Sequence, residues 1–275
     1  MRSVSSVVNP TNQQFLCYPD AVKVRLDKLL TERGLASSRE RAQAIILAGR
    51  VLVNDQKVEK AGANVADDVT IRILGDDLPY VSRGGLKLAC ALEHWHIHVT
   101  GKTCVDIGAS TGGFTDCMLQ AGAARVLAVD TGYGQMDARL RSDPRVRLLE
   151  KTNARYLTSV QLWGDEPPGA VSLVAMDVSF ISATLVLPSV VASVRRSSST
   201  FELVLLIKPQ FEVGREQVGK GGIVRDPEAQ QGAVDKVRRC VEEMEASAIE
   251  VIDSPILGTE GNREFLLHTR FGSGA

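Results

Sequence analysis

The sequence predicts an α/β protein whose larger domain is built on a mainly parallel, doubly wound sheet of seven strands. Seven apolar runs are the candidate strands: 103–107, 125–130, 146–149, 171–177, 203–207, 249–253 and 265–269. Helical patterns, notably 183–194 and 227–246, fill most of the gaps between them. Strands that alternate with helices form parallel sheets with both faces covered. Only a loop separates the last two runs, and a parallel return needs a longer crossover. We therefore expect the last two strands to form an antiparallel hairpin.

The composition is that of an ordinary globular chain and excludes several classes of protein. The 275 residues carry 32 basic and 33 acidic side chains, so any basic surface must be local. No apolar run approaches the roughly 18 residues of a membrane-spanning helix. Five scattered cysteines without a Cys-x-x-Cys pair predict reduced thiols in a cytoplasmic protein. Residues 1–22 are polar, which predicts a disordered tail or an over-extended start, not a secretory signal.

We predict no metal site. The cysteines have no zinc-ligand spacing, and for the alternating His94, His96 and His98 we expect no acidic partner that could complete a site. The segment that contains these histidines reads as the frayed end of a helix.

Residues 24–73 read as a compact α+β unit with a local excess of positive charge. Leu26, Leu29 and Leu30 form a helical stripe that ends at Gly34, a capping box at residues 37–40 opens a second helix, and short strands follow at 51–53 and 70–73. Residues 23–60 contain nine basic and five acidic side chains. A solvated helical surface would explain this excess, but clustered arginine and lysine also neutralise phosphates. The RNA-binding candidates are Arg25, Lys28, Arg39, Arg41, Arg50, Lys57 and, further along, Arg83.

Four motifs in this unit resemble the ribosomal S-four type RNA-binding domain. They are Arg25-Leu-Asp-Lys-Leu-Leu, Ser38-Arg-Glu-Arg-Ala, Ile46 through Gly49-Arg-Val-Leu-Val-Asn54, and Lys57-Val58. The resemblance implies binding of structured RNA by shape and phosphate contacts. We accordingly assign residues 23–74 to an RNA-binding domain, residues 75–82 to a linker and residues 83–271 to a catalytic domain.

The strand, tight turn and helix of Thr103–Phe114 predict a nucleotide-binding site. A dinucleotide fingerprint needs glycine where Ser110 stands, and Gly214–Lys220 has P-loop spacing but lacks the following Ser or Thr. S-adenosylmethionine fits better. The turn allows close approach, Asp130 at the end of the second strand offers a carboxylate for ribose hydroxyls, and Asn153 beyond the third strand can bond the adenine. The candidate cofactor-binding residues are Asp106, Gly108, Ser110, Gly112, Gly113, Phe114, Asp130, Asn153, Ala154 and Asp177.

The segments Ser-Arg-Gly-Gly-Leu-Lys87, Met-Asp177-Val-Ser-Phe, Leu-Ile-Lys208-Pro-Gln-Phe-Glu and Gly-Asn-Arg-Glu264 resemble motifs of the TlyA, or haemolysin A, family. These proteins are ribosomal RNA 2′-O-methyltransferases with an S-four type domain ahead of an FtsJ-like, Rossmann-like class I methyltransferase domain. The resemblance implies a catalytic tetrad of Lys87, Asp177, Lys208 and Glu264. Lys208 would act on a cytidine 2′-hydroxyl, Asp177 would orient Lys208, and the other two would place the ribose.

Two alternatives stay open at this point. The second family name suggests a membrane-lysing protein, and the chain could be an RNA-binding module without catalysis. The expected partners are ribosomal RNA or ribosomal subunits, without stable insertion into a membrane, and the sequence leaves the oligomeric state open.

Overall fold

A computed structural model describes residues 23–36, 38–74, 78–164, 169–258 and 261–272. The chain divides into two compact units, Met1–Asp77 and Leu78–Ala275. The expectation for residues 1–22, and that for Ser37 in the capping box, lie outside the described residues.

The smaller unit packs two helices against short antiparallel strands. Its core contains Leu26, Leu30, Ile46 and Val51, none of which is exposed. Helix α2 begins after Ser38, whose Oγ accepts a hydrogen bond from the Arg41 N–H at 3.2 Å, as an N-cap serine does. In chain order the elements are β1 (Lys23–Arg25), α1 (Leu26–Glu32), α2 (Arg39–Leu47), β2 (Val51–Val53), β3 (Gln56–Val58), β4 (Asn64–Ala66) and β5 (Ile71–Ile73). Strand β1 pairs with β4, and a second sheet has the order β3-β2-β5.

The larger unit is built on a seven-stranded sheet of order β11-β12-β10-β9-β6-β7-β8. The five strands from β10 to β8 in this order run parallel, and β12 is antiparallel to both β10 and β11. This confirms the predicted fold, including the antiparallel last hairpin. The strands are β6 (Thr103–Ile107), β7 (Arg125–Val129), β8 (Val146–Leu149), β9 (Val171–Met176), β10 (Phe201–Ile207), β11 (Ser247–Asp253) and β12 (Phe265–Phe271).

Helices cover both faces of this sheet, because the side chains of its central strands alternate between two apolar clusters. Val105 and Ile107 belong to the cluster that includes α6, α7 and α9, whereas Cys104 belongs to the one that includes α3, α4 and α5. The helices are α3 (Gly84–His94), α4 (Gly113–Gln120), α5 (Ala138–Arg141), α6 (Ser159–Trp163), α7 (Leu187–Arg195), α8 (Pro209–Glu212) and α9 (Pro227–Glu243). Among the described residues, no helix has the length and apolar character needed to span a bilayer.

Apart from shifts at the ends of strands, three details differ from the sequence predictions. The helix predicted over 183–194 is a 3₁₀ turn, Ala183–Leu185, followed by α7, and the helix predicted over 227–246 ends at Glu243. His94 does have an acidic partner, because its Nε2 lies 3.2 Å from Oε1 of Glu250 on β11. That partner is distant in the sequence and is brought close only by the fold.

Candidate active site

The turn after β6 lies against the end of β9, and only glycine fits at its centre. Gly108 has φ +86°, and a Cβ added there would stand 2.4 Å from the backbone oxygen of Asp177. That distance is far below van der Waals contact, so the side chain must be absent for the two strand ends to meet. The close approach places this turn and Asp177 on one site at the carboxyl edge of the sheet.

Asp130, at the end of β7, organises the turn through its carboxylate. Oδ2 accepts a hydrogen bond from the Ser110 N–H at 2.7 Å, and Oδ1 accepts one from the Gly132 N–H at 2.6 Å. Each carboxylate oxygen has a second lone pair. Asp130 can therefore hold the turn and still accept a bond from a ligand hydroxyl.

A cavity of about 510 Å³ opens at this edge of the sheet. Its wall includes the predicted Gly108, Ser110, Asp130, Asn153, Ala154 and Asp177, together with Thr131, Gly132, Gln135, Thr152, Val178, Ser179 and Phe180. Asn153 also caps the 3₁₀ turn Ala154–Tyr156, since its Oδ1 accepts a bond from the Arg155 N–H at 3.0 Å. Its amide nitrogen is the part of the side chain that can donate to a ligand.

Four predicted cofactor residues do not line this cavity: Gly113 and Phe114 line a neighbouring cavity, whereas Asp106 and Gly112 line neither. Asp106 is fully buried, and its Oδ2 accepts a 2.6 Å bond from the Thr115 hydroxyl of α4, so it ties β6 to that helix. Burial raises the pKa of Asp106 to about 7. Gly112 has φ +96° and packs against Leu140, where a Cβ would stand 2.3 Å from Cδ1. Asp106 and Gly112 therefore support the turn through contacts with neighbouring helices and do not form part of the cavity wall.

Gly113, at the start of α4, allows the start of α3 to pack closely against that helix. A Cβ on Gly113 would stand 2.3 Å from Ser82 Oγ and 3.0 Å from the Gly85 backbone nitrogen. The close packing of these backbones directs Lys87, in the first turn of α3, towards the carboxyl edge of the sheet. There its Nζ lies 2.5 Å from Oε2 of Glu264.

The Lys87–Glu264 pair is nearly excluded from solvent, with side chains 10% and 3% exposed. Gly258 makes room for it, because a Cβ at that position would stand 2.5 Å from Glu264 Oε1. Asn262 is also buried, and its amide donates to Gly222 O at 2.8 Å and accepts from the Val224 N–H at 3.0 Å. Asn262 thereby fixes the loop just before the Glu264 carboxylate.

Lys208 follows β10 and forms the second lysine–carboxylate pair. Its Nζ donates a hydrogen bond to Ser179 Oγ at 2.6 Å and lies 2.7 Å from Asp177 Oδ1. The contact with Ser179 is an aligned hydrogen bond, whereas that with Asp177 is an ion pair without hydrogen-bond alignment. Ser179 is a contact that the sequence motifs did not assign.

The four tetrad residues meet in a second cavity of about 470 Å³, which Gly113, Phe114 and Arg83 also line. The two cavities share Gly108, Ser110, Asp177 and Ser179. Glu212, the last residue of the Lys208 motif, lies elsewhere. Its buried carboxylate accepts bonds from Ser182 and from the Ala183 N–H and pairs with Lys236. Its role is to hold the 3₁₀ turn to α8 and α9.

Phe180 is a site residue that sequence reasoning did not select. Its side chain is 91% exposed, it lines the first cavity, and its φ is +64°, a conformation that bulky side chains rarely adopt. An exposed aromatic ring held in a strained backbone beside a cavity is typical of a ligand contact. The one sequence signal was its place three residues after Asp177.

In the smaller unit, buried Asp27 binds two of the predicted RNA-binding arginines. Its carboxylate accepts bonds from Arg25 Nε and Nη2, from Arg39 Nε and from the Gln43 amide, at 2.8–3.1 Å. The Arg25 guanidinium, with Gln43 and Arg39, holds the pKa of Asp27 well below its usual range, against the effect of burial. Both arginine side chains are still about half exposed, so each presents one edge to solvent.

The remaining RNA-binding candidates of this unit are also partly held. Lys28 pairs with Glu32 and Lys57 with Glu59, all with more than half of the side chain exposed. Arg50 Nε donates to Leu74 O at 2.7 Å, and Arg41 is half-buried. Exposed ion pairs contribute little to stability, so Lys28 and Lys57 can exchange their carboxylate partners for phosphates.

Comparisons with known proteins agree with this architecture. The FtsJ-like methyltransferase model matches residues 80–271, and the S4 domain model matches residues 24–71. The chain is 44% identical to the 16S/23S rRNA (cytidine-2′-O)-methyltransferase TlyA of Mycobacterium tuberculosis, over 91% of each protein. It is 40% identical to Hemolysin A of Brachyspira hyodysenteriae, over 89% of this chain and 99% of that protein. A solved structure of a hemolysin-named protein from Streptococcus thermophilus superposes with a TM-score of 0.69 at 40% identity, covering 92% of this chain and 90% of that one.

Proposed function

Because this chain belongs to the TlyA family of FtsJ-like methyltransferases, we propose that it transfers a methyl group from S-adenosylmethionine to a cytidine 2′-hydroxyl of ribosomal RNA. The observation that carries the proposal is the pair of adjoining cavities. One has the features of a nucleoside site, the other holds two lysine–carboxylate pairs, and Asp177 and Ser179 stand on the wall between them.

The first cavity suits S-adenosylmethionine in its shape and in its donors and acceptors. Gly108 allows close backbone approach, Asp130 offers acceptors for ribose hydroxyls, and the Asn153 amide can donate to the adenine. When bound, the cofactor supplies an electrophilic methyl group on a sulfonium. The chain's own task is then to align and activate the hydroxyl that attacks it.

We assign hydroxyl activation to Lys208. Its Nζ is fixed by Asp177 and Ser179, so it can bind the 2′-oxygen in one orientation and stabilise the negative charge that develops as the proton leaves. This oxygen would receive the methyl group, and the hydroxyl proton would pass to the Asp177 carboxylate, because the Lys208 ammonium has no acceptor site. Fixed alignment of this kind can remove several kcal/mol from a barrier.

We assign placement of the ribose to the Lys87–Glu264 pair. Because this pair is nearly dry, its charges are weakly screened and its geometry is fixed before the RNA arrives. Phe180 can stack on the base of the target nucleotide, since its ring is exposed at the rim of the cofactor cavity. Arg83 lines the second cavity, where a phosphate next to the target ribose would come.

We further propose that residues 23–74 form an RNA-binding domain, joined through residues 75–82 to a catalytic domain of residues 83–271. The Arg25 and Arg39 side chains, held on Asp27, form a rigid pair of cations for phosphates of folded RNA. Ribosomal RNA or ribosomal subunits would be the partners, and the cytoplasm would be the compartment in which the chain acts.

The proposed reaction can be tested with tritiated S-adenosylmethionine and ribosomal subunits from a strain that lacks this modification. A 2′-O-methyl group removes the hydroxyl that alkali needs to cleave the chain. We therefore expect the tritium to appear in alkali-stable dinucleotides of ribosomal RNA. Tritium in mononucleotides, as from methylation of a base, or absence of transfer would contradict the proposal.

A further inference from the structure

Tyr133 is exposed at the rim of the cofactor cavity on a loop that the fold holds rigidly. Its side chain is 70% exposed. The preceding residue, Gly132, donates its N–H to Asp130 Oδ1 at 2.6 Å, and the following residue, Gly134, donates its N–H to Glu150 Oε1 at 2.6 Å. An exposed aromatic ring whose backbone is fixed on both sides loses little conformational entropy when it binds a partner.

Glu150 is itself held in place from the other side. Arg141 donates from Nη1 to Oε2 at 3.0 Å and from Nη2 to Oε1 at 2.5 Å, a bidentate pair that fixes the plane of the carboxylate. The exposed loop is thereby anchored to α5 and to the end of β8.

Lys151 completes the feature, with its Nζ 4.5 Å from the centroid of the Tyr133 ring. Lys151 has φ +53°, which is unfavourable for a residue with a side chain, and its N–H donates to Gly132 O at 3.0 Å. The fold therefore accepts backbone strain at the position that directs this ammonium over the ring. Strain of this kind is concentrated at functional sites.

The ring does not belong to the cofactor cavity. Gly132 and Thr152 line that cavity, but their neighbours Tyr133 and Lys151 do not, and most of the ring faces solvent. An aromatic face beside a cation is the arrangement that binds unpaired nucleotides, because the base stacks on the ring and the phosphate meets the charge.

We infer that Tyr133 and Lys151 form a nucleotide-binding platform, on which an unpaired base of the RNA near the target stacks on Tyr133 while its phosphate contacts Lys151. The inference rests on the proposed function, since it takes RNA as the substrate. It adds an RNA contact on the catalytic domain that lies outside both the tetrad and the basic residues of the smaller unit.

The test compares full-length Tyr133→Ala, Tyr133→Phe and Lys151→Asn with the unaltered protein. Binding to unmodified ribosomal subunits is measured by co-sedimentation, and S-adenosylmethionine binding by calorimetry. Phenylalanine keeps the stacking face, and asparagine removes the charge while tolerating positive φ. Lys102→Gln, at the amino end of β6, is the matched loss of an exposed lysine at the opposite edge of the sheet.

We expect Tyr133→Ala to weaken subunit binding about tenfold, which is within the range for stacking one base. Tyr133→Phe and Lys102→Gln should bind as the unaltered protein does, and cofactor binding should not change in any variant. For Lys151→Asn we expect the slope of log affinity against log salt to be shallower by about 0.7–0.9, the loss of one phosphate contact.

Unchanged subunit binding by Tyr133→Ala would overturn the inference. So would a loss of cofactor affinity equal to the loss of RNA affinity, since the ring would then serve the cofactor, and so would an unchanged salt slope for Lys151→Asn. Because binding is measured without catalysis, these outcomes are separate from a failure of the unaltered protein to methylate RNA, which would contradict the proposed function.

Discussion

Replacing Lys208 with alanine should separate methyl transfer from cofactor binding. The Lys208 ammonium contacts Asp177 and Ser179, and Asp177 stands on the wall that the two cavities share. The substitution removes the group that we assign to the 2′-hydroxyl. It leaves the backbone turn at Gly108 and the Asp130 carboxylate, which we assign to the cofactor, in place.

The expected size of the effect follows from the role assigned to this lysine. A positioned group that assists proton transfer contributes about 10²–10⁴-fold to a rate, which corresponds to about 3–5 kcal/mol of barrier. The free energy of unfolding should fall by about 1–3 kcal/mol, because the side chains of Lys208 and Asp177 are only 12% and 21% exposed and the substitution leaves the carboxylate without its partner. Cofactor affinity should not fall, because S-adenosylmethionine is cationic at sulfur and the variant site is more negative by one charge. We expect any gain in affinity to stay within about threefold.

Calorimetry with S-adenosylmethionine and tritium transfer to unmodified subunits measure the two quantities on the same protein preparation. Lys102→Ala, on the opposite edge of the sheet, controls for the loss of a lysine and should retain full activity. A Lys208→Ala variant that no longer binds the cofactor, or one that still methylates within tenfold of the unaltered rate, would refute the assignment.

Three further predictions concern groups around the site. Lys87→Met leaves the buried Glu264 carboxylate without its partner and should lower the free energy of unfolding, measured in urea, by about 3–5 kcal/mol. The double variant Lys87→Met with Glu264→Gln should recover part of this loss. A double variant no more stable than Lys87→Met would contradict the pairing. Gly108→Ala should lower stability and weaken cofactor binding more than Gly101→Ala does. Both glycines have positive φ, but a Cβ at Gly108 would stand 2.4 Å from Asp177 O, whereas one at Gly101 meets nothing within 4 Å. Equal losses for the two variants, in urea unfolding and in calorimetry, would contradict the close approach. Since burial raises the pKa of Asp106 from 3.8 to about 7, its contribution to stability is complete below pH 3.8 and lost as the pH rises to about 7. The unfolding free energy of the unaltered protein, relative to Asp106→Asn, should therefore fall by up to about 1.4 kcal/mol per pH unit in that interval, and parallel pH profiles would contradict this.

The fold of the larger unit could be predicted from sequence because its strands are apolar runs bounded by turn residues. The predicted strands 103–107 and 146–149 match the structure residue for residue, and the others differ only at their ends. Edge strands such as β11 carry a weaker pattern, since only partial burial constrains their side chains. For the same reason, the start of β11 was placed two residues too late.

The pairing within the site could not be predicted from spacing. Lys87 and Glu264 are 177 positions apart, and no local pattern shows that α3 and the loop before β12 converge. Motif resemblance named the two residues, and the structure adds that they form one ion pair. The contact between Lys208 and Ser179 was missed for the same reason, because the two residues follow different strands.

The sequence also did not show that two of the predicted RNA-binding arginines bind the same carboxylate. Counting basic residues in the smaller unit treats every arginine as equally available, but Asp27 accepts bonds from both Arg25 and Arg39. Asp27 itself reads as an ordinary residue in the first turn of a helix. Its burial, which makes it the centre of this network, depends on how α1 and α2 pack together.

The most direct test of the account is to identify the methylated nucleoside. Ribosomal subunits without this modification are incubated with the protein and S-adenosylmethionine, and the RNA is digested to nucleosides for mass spectrometry and mapped by fragment. The account predicts that 2′-O-methylcytidine is the new nucleoside, at defined positions, and that Lys208→Ala forms it about 10²–10⁴-fold more slowly. A methyl group on a base, or 2′-O-methylation by Lys208→Ala within tenfold of the unaltered rate, would contradict it.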